Sequence, residues 1–169
     1  MLDRFYGVPW LHYAVALCLF KTDKVTDAAM HLEIAASKFK FASKSNSDEL
    51  EQLIAIAGLL ARTGEFAHII PLIKNNLDQI EWPADDLSVL KELVNICMTV
   101  ESPETCLEVL AHAFDAYDGS ELVPEYLLVT AMAAHACDDA ELEFESYIKA
   151  LELDPKNVKI HSRISRFLG

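Results

Sequence analysis

Residues 147–157, Tyr147-Ile148-Lys149-Ala150-Leu151-Glu152-Leu153-Asp154-Pro155-Lys156-Asn157, decide how the rest of the chain is read. A helical run stops near Leu153, and Asp154-Pro155 then offers a capping acid followed by a proline in the first helical position. That punctuation closes one helix and opens another, which runs to Phe167. The same signal stands at Ser102-Pro103, and Pro9 and Pro124 are placed to open helices of their own. Between these points the apolar spacing is helical almost throughout.

Working outward, a first helix is expected from Pro9 to about Lys21 and a second from Val25 to about Ser43, with Ala28, Leu32, Ala35 and Ala36 on one stripe. Asp48 with Glu51 three residues on suggests a capping-box start for the third, which stops at Thr63-Gly64. A fourth, from Glu65 to Ile80, contains Pro71, which must kink it or delay its start. The fifth opens at Pro83 or Ala84 and ends near Val100. Later helices run from Pro103 to about Asp118, from Pro124 to Cys137, on to Leu153, and through the final segment. Asp85-Asp86 and Asp138-Asp139 read as helix-start charges favoured by the dipole.

The helices pair by self-similarity. Ala16, Ala57, Val94 and Ala131 fall at equivalent places, 41, 37 and 37 residues apart. Each second helix repeats the correspondence: Ala28, Ile69, Cys106 and Glu143; then Leu32, Ile73, Leu110 and Tyr147; then Ala35, Asn76, Ala113 and Ala150. Small residues recurring at such places let helices approach closely, and a regular period in this range implies stacked hairpins.

On these residues the chain resembles the tetratricopeptide-repeat (TPR) family. Residues 147–157 are close to that family's repeat ending. Val15-Ala16 through Leu19, then Ala28, Leu32 and Ala35, follow its small-and-large pattern, and Arg62-Thr63-Gly64-Glu65-Phe66 is similar to its inter-helix turn. The spacings exceed the family's usual period of about 34 residues, Pro71 interrupts one helix, and Glu143 replaces an expected small residue. The resemblance implies one all-α domain over residues 1–169. This would be a right-handed solenoid of about four hairpins at residues 9–43, 48–80, 83–118 and 121–154, with a capping helix at 155–168 that turns Ile160, Ile164, Phe167 and Leu168 to one side. That helix would otherwise begin a further repeat, and the very apolar first helix also hints at a missing neighbour.

In this family the first helix of each hairpin lines a concave face where partner peptides bind. The resemblance therefore assigns Tyr13, Leu17 and Phe20, Ile54, Gly58, Ala61 and Arg62, Lys91, Asn95 and Met98, and Leu128, Met132 and His135 to a partner-binding face. Most are apolar, which suits an amphipathic helix or an extended apolar segment. Lys91 and Asn95 stand four apart, as in the family branch that grips a peptide's C-terminal carboxylate. The next repeat has Val129 where another Asn belongs, so such a clamp is not expected. Lys91 then reads as a solvated lysine, and Asn95 as a hydrogen-bond partner for a bound backbone.

Composition narrows the function classes. Asp and Glu number 27 against 14 Lys and Arg, for a formal charge of −13. No basic stripe exists to replace phosphate counterions, so nucleic acid is not an expected partner. An anionic membrane surface would repel the chain, and the apolar stretch from Val8 to Phe20 is too short to span a bilayer. It also lacks a basic leader and a following cleavage site, and reads as a core helix rather than a signal peptide. Cys18, Cys97, Cys106 and Cys137 each sit among apolar residues without a C-x-x-C pair, the pattern of free, buried thiols in a reducing, cytoplasmic setting. His135 and Cys137 fit no zinc spacing and would diverge on a helix. With 5 glycines and no phosphate-loop, nucleophile-elbow or dinucleotide motif, neither catalysis, a cofactor nor a metal is expected.

The expectation is thus a non-catalytic scaffold or adaptor that binds another protein, a peptide or helix with basic or amphipathic character; self-association through the first helix is also open. Two other readings follow from the resemblance: a dedicated chaperone of a secreted or assembling protein, and a TPR domain excised from a larger enzyme such as a glycosyltransferase.

Overall fold

The computed structural model describes residues 8–41, 44–45, 47–82, 88–116 and 124–168. Among them are nine α-helices: α1 (Pro9–Lys21), α2 (Val25–Lys38), α3 (Ser47–Thr63), α4 (Ile69–Lys74), α5 (Ser88–Thr99), α6 (Pro103–Ala116), α7 (Pro124–Ala136), α8 (Ala140–Leu153) and α9 (Val158–Leu168). No strand occurs among the described residues. The fold is an all-α helical-hairpin repeat.

The repeat is written into the backbone of the turns. Asp23, Gly64, Glu101 and Asp138 all adopt left-handed φ angles, of 61°, 81°, 54° and 59°. They recur at the same 41, 37 and 37 residue intervals as Ala16, Ala57, Val94 and Ala131. Each stands just past the first helix of a hairpin, where a left-handed residue lets the next amide reach back and satisfy an open carbonyl. Lys24 N donates to Leu19 O, Glu65 N to Leu60 O and Asp139 N to Ala134 O, each at 2.9 Å. Only one of the four positions holds glycine. A left-handed conformation costs a non-glycine residue about 1–2 kcal/mol, of which the freer unfolded chain of a glycine variant offsets up to about 1 kcal/mol. Glu101→Gly is therefore expected to stabilise the protein by about 0.5–1 kcal/mol, read as a rise in the urea midpoint at unchanged slope.

The described chain divides into two compact units, Met1–Glu101 and Ser102–Gly169, with the boundary at the turn between α5 and α6. In the first unit α1 packs on α2, α2 on α3, and α3 on α4 and α5. First helices also touch first helices (α1 with α3, α3 with α5), and α2 touches α4. In the second unit α6, α7, α8 and α9 pack in chain order. Ala16, Ala57 and Ala131 are fully buried, as are Ala28, Ile69 and Cys106. His12, on α1, is buried and meets His31 of α2 with 3.0 Å between their Nδ1 atoms, a bond that requires one ring to donate and the other to accept.

Several elements depart from the sequence expectation. The second helix stops at Lys38 instead of reaching Ser43 (itself outside the described residues), and Phe39 is extended (φ −70°, ψ 124°). Alternation along extended backbone turns Phe39 and Phe41 to the same side, where both are buried with their rings edge to face at 5.3 Å. Asn76 holds this segment: its side chain accepts from Phe41 N and donates to Leu72 O. Ser45 ties in the rest, donating its N–H to Gln79 O and accepting from Glu81 N at its hydroxyl.

The fourth helix is reduced to one α-helical segment of 6 residues between 3-10 turns at Phe66–His68 and Leu77–Gln79. Pro71 delays its start: it occupies the third helical position, where the missing N–H would have had no helical partner. Asp154 does not cap the last helix. It ends α8, and Asn157 caps α9, with its Oδ1 accepting from Ile160 N and its amide donating to Asp154. Asp139 does cap α8, through Leu142 N, whereas Asp138 occupies the left-handed turn. The expected starts at Pro83 and Asp85-Asp86, and the end at Asp118, lie outside the described residues. Two thiols are less covered than expected: Cys97 and Cys106 are buried, but Cys137 is half-buried and Cys18 exposed. Among the described residues no helix is long and apolar enough to cross a membrane.

Candidate functional site

The first-helix residues fall on four elements. Tyr13, Leu17 and Phe20 are half-buried on α1, and Ile54 is half-buried on α3 beside exposed Arg62. Lys91 and Asn95 are exposed a turn apart on α5, and Met98 is half-buried. On α7, Leu128 is half-buried while Met132 and His135 are exposed. Contact between α1 and α3 brings the Arg62 guanidinium over the Phe20 ring, 4.7 Å from its centroid, a cation–π contact joining two hairpins. Leu128 has a further role: it packs against a buried cluster of Leu127, Ala150 and Ile160. It supports the core of the second unit and is not simply a contact for a partner.

Met132 and His135 share the wall of a cavity of about 630 Å³ with Asp138, Ala140, Glu143, Tyr147 and Arg163, so that α7, the turn after it, α8 and α9 all contribute. Glu143 lies in the first turn of α8, where the helix dipole favours a carboxylate. Its Oε2 is 3.0 Å from His135 Nδ1; the histidine side chain is 76% exposed and the glutamate only 12%. The imidazole thus faces solvent, and the carboxylate is nearly covered.

Tyr147 follows one turn later and is only 2% exposed. Burial chiefly, and then the charge of Glu143, push its phenol above the usual range, with Arg163 opposing. Its hydroxyl has no hydrogen-bond partner among the described residues. Tyr147 lines the same cavity as His135 and Glu143.

The thiols nearby are poor nucleophiles. Burial above all, with Cys137 second, raises Cys106 to about 11. Cys137 is raised by burial and then by the carboxylates of Glu104, Asp139 and Asp138. Reactivity needs the thiolate, which both settings disfavour. Among the described residues no three His, Cys, Asp or Glu side chains converge on a point that would hold a metal ion. What the cavity offers is hydrogen bonding and charge.

The sequence reading places Met132 and His135 on this face but misses Glu143, Tyr147, Asp138 and Arg163 as their neighbours. A signal for two of them existed: positions 143 and 147 carry an acid and a phenol where the other hairpins carry Ala28, Ile69 and Cys106, and Leu32, Ile73 and Leu110.

No protein-family model and no curated protein matches the chain. A solved structure described as "MamA RS-1 ArsTM double mutant", of a TPR-like protein, is similar over 94% of this chain and 82% of its own, at 15% identity and a TM-score of 0.52. The likeness is one of fold: the chain has a TPR-like, all-α helical-repeat architecture.

Proposed function

We propose that the protein is a non-catalytic interaction module, a scaffold or adaptor in which first-helix residues of each unit contact another protein. One observation carries this reading: Tyr13, Leu17, Phe20, Ile54 and Met132 lie on helices whose opposite sides are core, yet none of the five is itself buried. Repeat architectures use such faces for extended contacts. The protonated state of the Cys106 and Cys137 thiols is consistent with a binding role rather than nucleophilic chemistry.

Two chemically identical substitutions test the choice of face. Met132 on α7 and Met30 on α2 are both exposed, at 44% and 61%. Affinity capture with wild type, Met132→Arg and Met30→Arg, followed by titration calorimetry with the purified captured protein, is expected to show binding lost about tenfold or more only for Met132→Arg. Equal capture by all three well-folded baits would remove the first-helix face, and loss with Met30→Arg alone would move the site to the second helices.

A further inference from the structure

The fourth hairpin breaks a rule that the other three keep. At one core position Ala28, Ile69 and Cys106 are each fully buried, and the fourth hairpin has Glu143; at the next, Leu32, Ile73 and Leu110 are fully buried, and the fourth has Tyr147. Burying a carboxylate and a phenol where hydrocarbon would pack disfavours the fold unless the groups are satisfied. Of the two, Tyr147 keeps to the aromatic that the TPR repeat ending carries, whereas Glu143 is a local departure, the expected mark of a functional position.

Resting on the protein-interaction reading above, we infer that the cavity between α7, α8 and α9 receives a cationic side chain, lysine or arginine, from the partner segment. Glu143 is nine-tenths buried and spends one oxygen on His135, leaving acceptor capacity toward the cavity. Asp138 adds a second carboxylate at the rim, in the left-handed turn. Independently of these acids, the buried Tyr147 side chain lines the cavity with its hydroxyl unpartnered among the described residues, and that oxygen would accept from an ammonium or guanidinium. Met132 and Ala140 give apolar wall for the aliphatic stem that a long cationic side chain carries.

Arg163 lines the same cavity and is exposed, and it makes no ion pair with Glu143 or Asp138 among the described residues. It leaves the acids open and is placed to donate to a main-chain carbonyl of the bound segment. An anionic ligand would meet both carboxylates, and would approach against the chain's −13 charge.

The test titrates the full chain with N-acetyl-arginine amide and follows amide NMR resonances, with the norleucine and glutamate analogues as neutral and acidic controls. The arginine probe is expected to shift resonances of residues 132–147 saturably, and the controls to leave them in place. Glu143→Gln should weaken the probe about tenfold or more. Glu143→Ala, which restores the residue of the first hairpin, should lose binding while unfolding at the same or higher urea concentration, so the loss is not one of folding. Equal shifts from norleucine amide, tighter binding of the glutamate probe, unchanged affinity in Glu143→Gln, or no shift at all would each overturn the proposal. A silent probe beside specific protein capture would refute the cavity's role alone; arginine binding beside empty capture would instead remove the protein-interaction reading.

Discussion

Cys106→Glu is expected to destabilise the second unit by about 3–5 kcal/mol at neutral pH, the cost of an uncompensated buried charge. Position 106 is the counterpart of position 143 one hairpin earlier, but the surroundings differ. Cys106 is fully buried, and that burial already holds its thiol up at about 11. An introduced carboxyl would meet the same desolvation beside Cys137, which offers no positive charge. Its folded-state pKa would be raised above the unfolded value of about 4.3. A raised folded pKa means that the deficit is greatest above that folded pKa and shrinks as the pH falls toward about 4. Urea denaturation followed by circular dichroism at pH 7 and pH 4 would show the larger loss at pH 7, with overpacking leaving a residual about 1–3 kcal/mol at pH 4. A deficit independent of pH would mean that shape alone, and not charge, separates the third and fourth hairpins.

Ile160→Ala should cost about 2–5 kcal/mol. Ile160 is fully buried against Leu127 and Ala150, and the partly buried Phe114, Leu128, Leu151 and Ile164 close over that cluster. It anchors α9, which otherwise holds to the unit by packing on α8. Hydrogen exchange should therefore show the amides of residues 158–168 losing protection before those of α7. Arg163 rides on the same helix, so binding of the arginine probe should weaken as well. Native-like protection of α9 in this variant would show that Ile160 is not what seats it.

Local signals in the chain carried much of the helix map. Pro9, Pro103 and Pro124 open α1, α6 and α7 as expected, because the fixed φ of proline and its missing N–H act within one helical turn. The 41, 37 and 37 residue spacing was legible for the same reason, and the left-handed turn residues repeat it. Pro71 announced a disturbed fourth helix, though not that only Ile69–Lys74 would remain α-helical.

Where several segments compete for one space, local pattern was not enough. Residues 39–41 look helical in isolation, but Asn76, 35 residues on, offers Phe41 a hydrogen bond that exists only in the extended form. Leu128 carried the spacing of a surface residue, and only the arrival of α9 turned it toward a core. The cavity is the fullest case. His135 and Glu143 are close in sequence, but Arg163 joins them from another helix, and the unpartnered Tyr147 hydroxyl depends on which side chains do not reach it. The sequence by itself determined most of the helices, their repeat spacing and the place where Glu143 stands for a small residue, since each of these rests on spacing along the chain. Tertiary structure alone decided that Glu143 and Tyr147 share one cavity with a cation from α9, because burial and hydrogen-bond partnership are properties of neighbours in space.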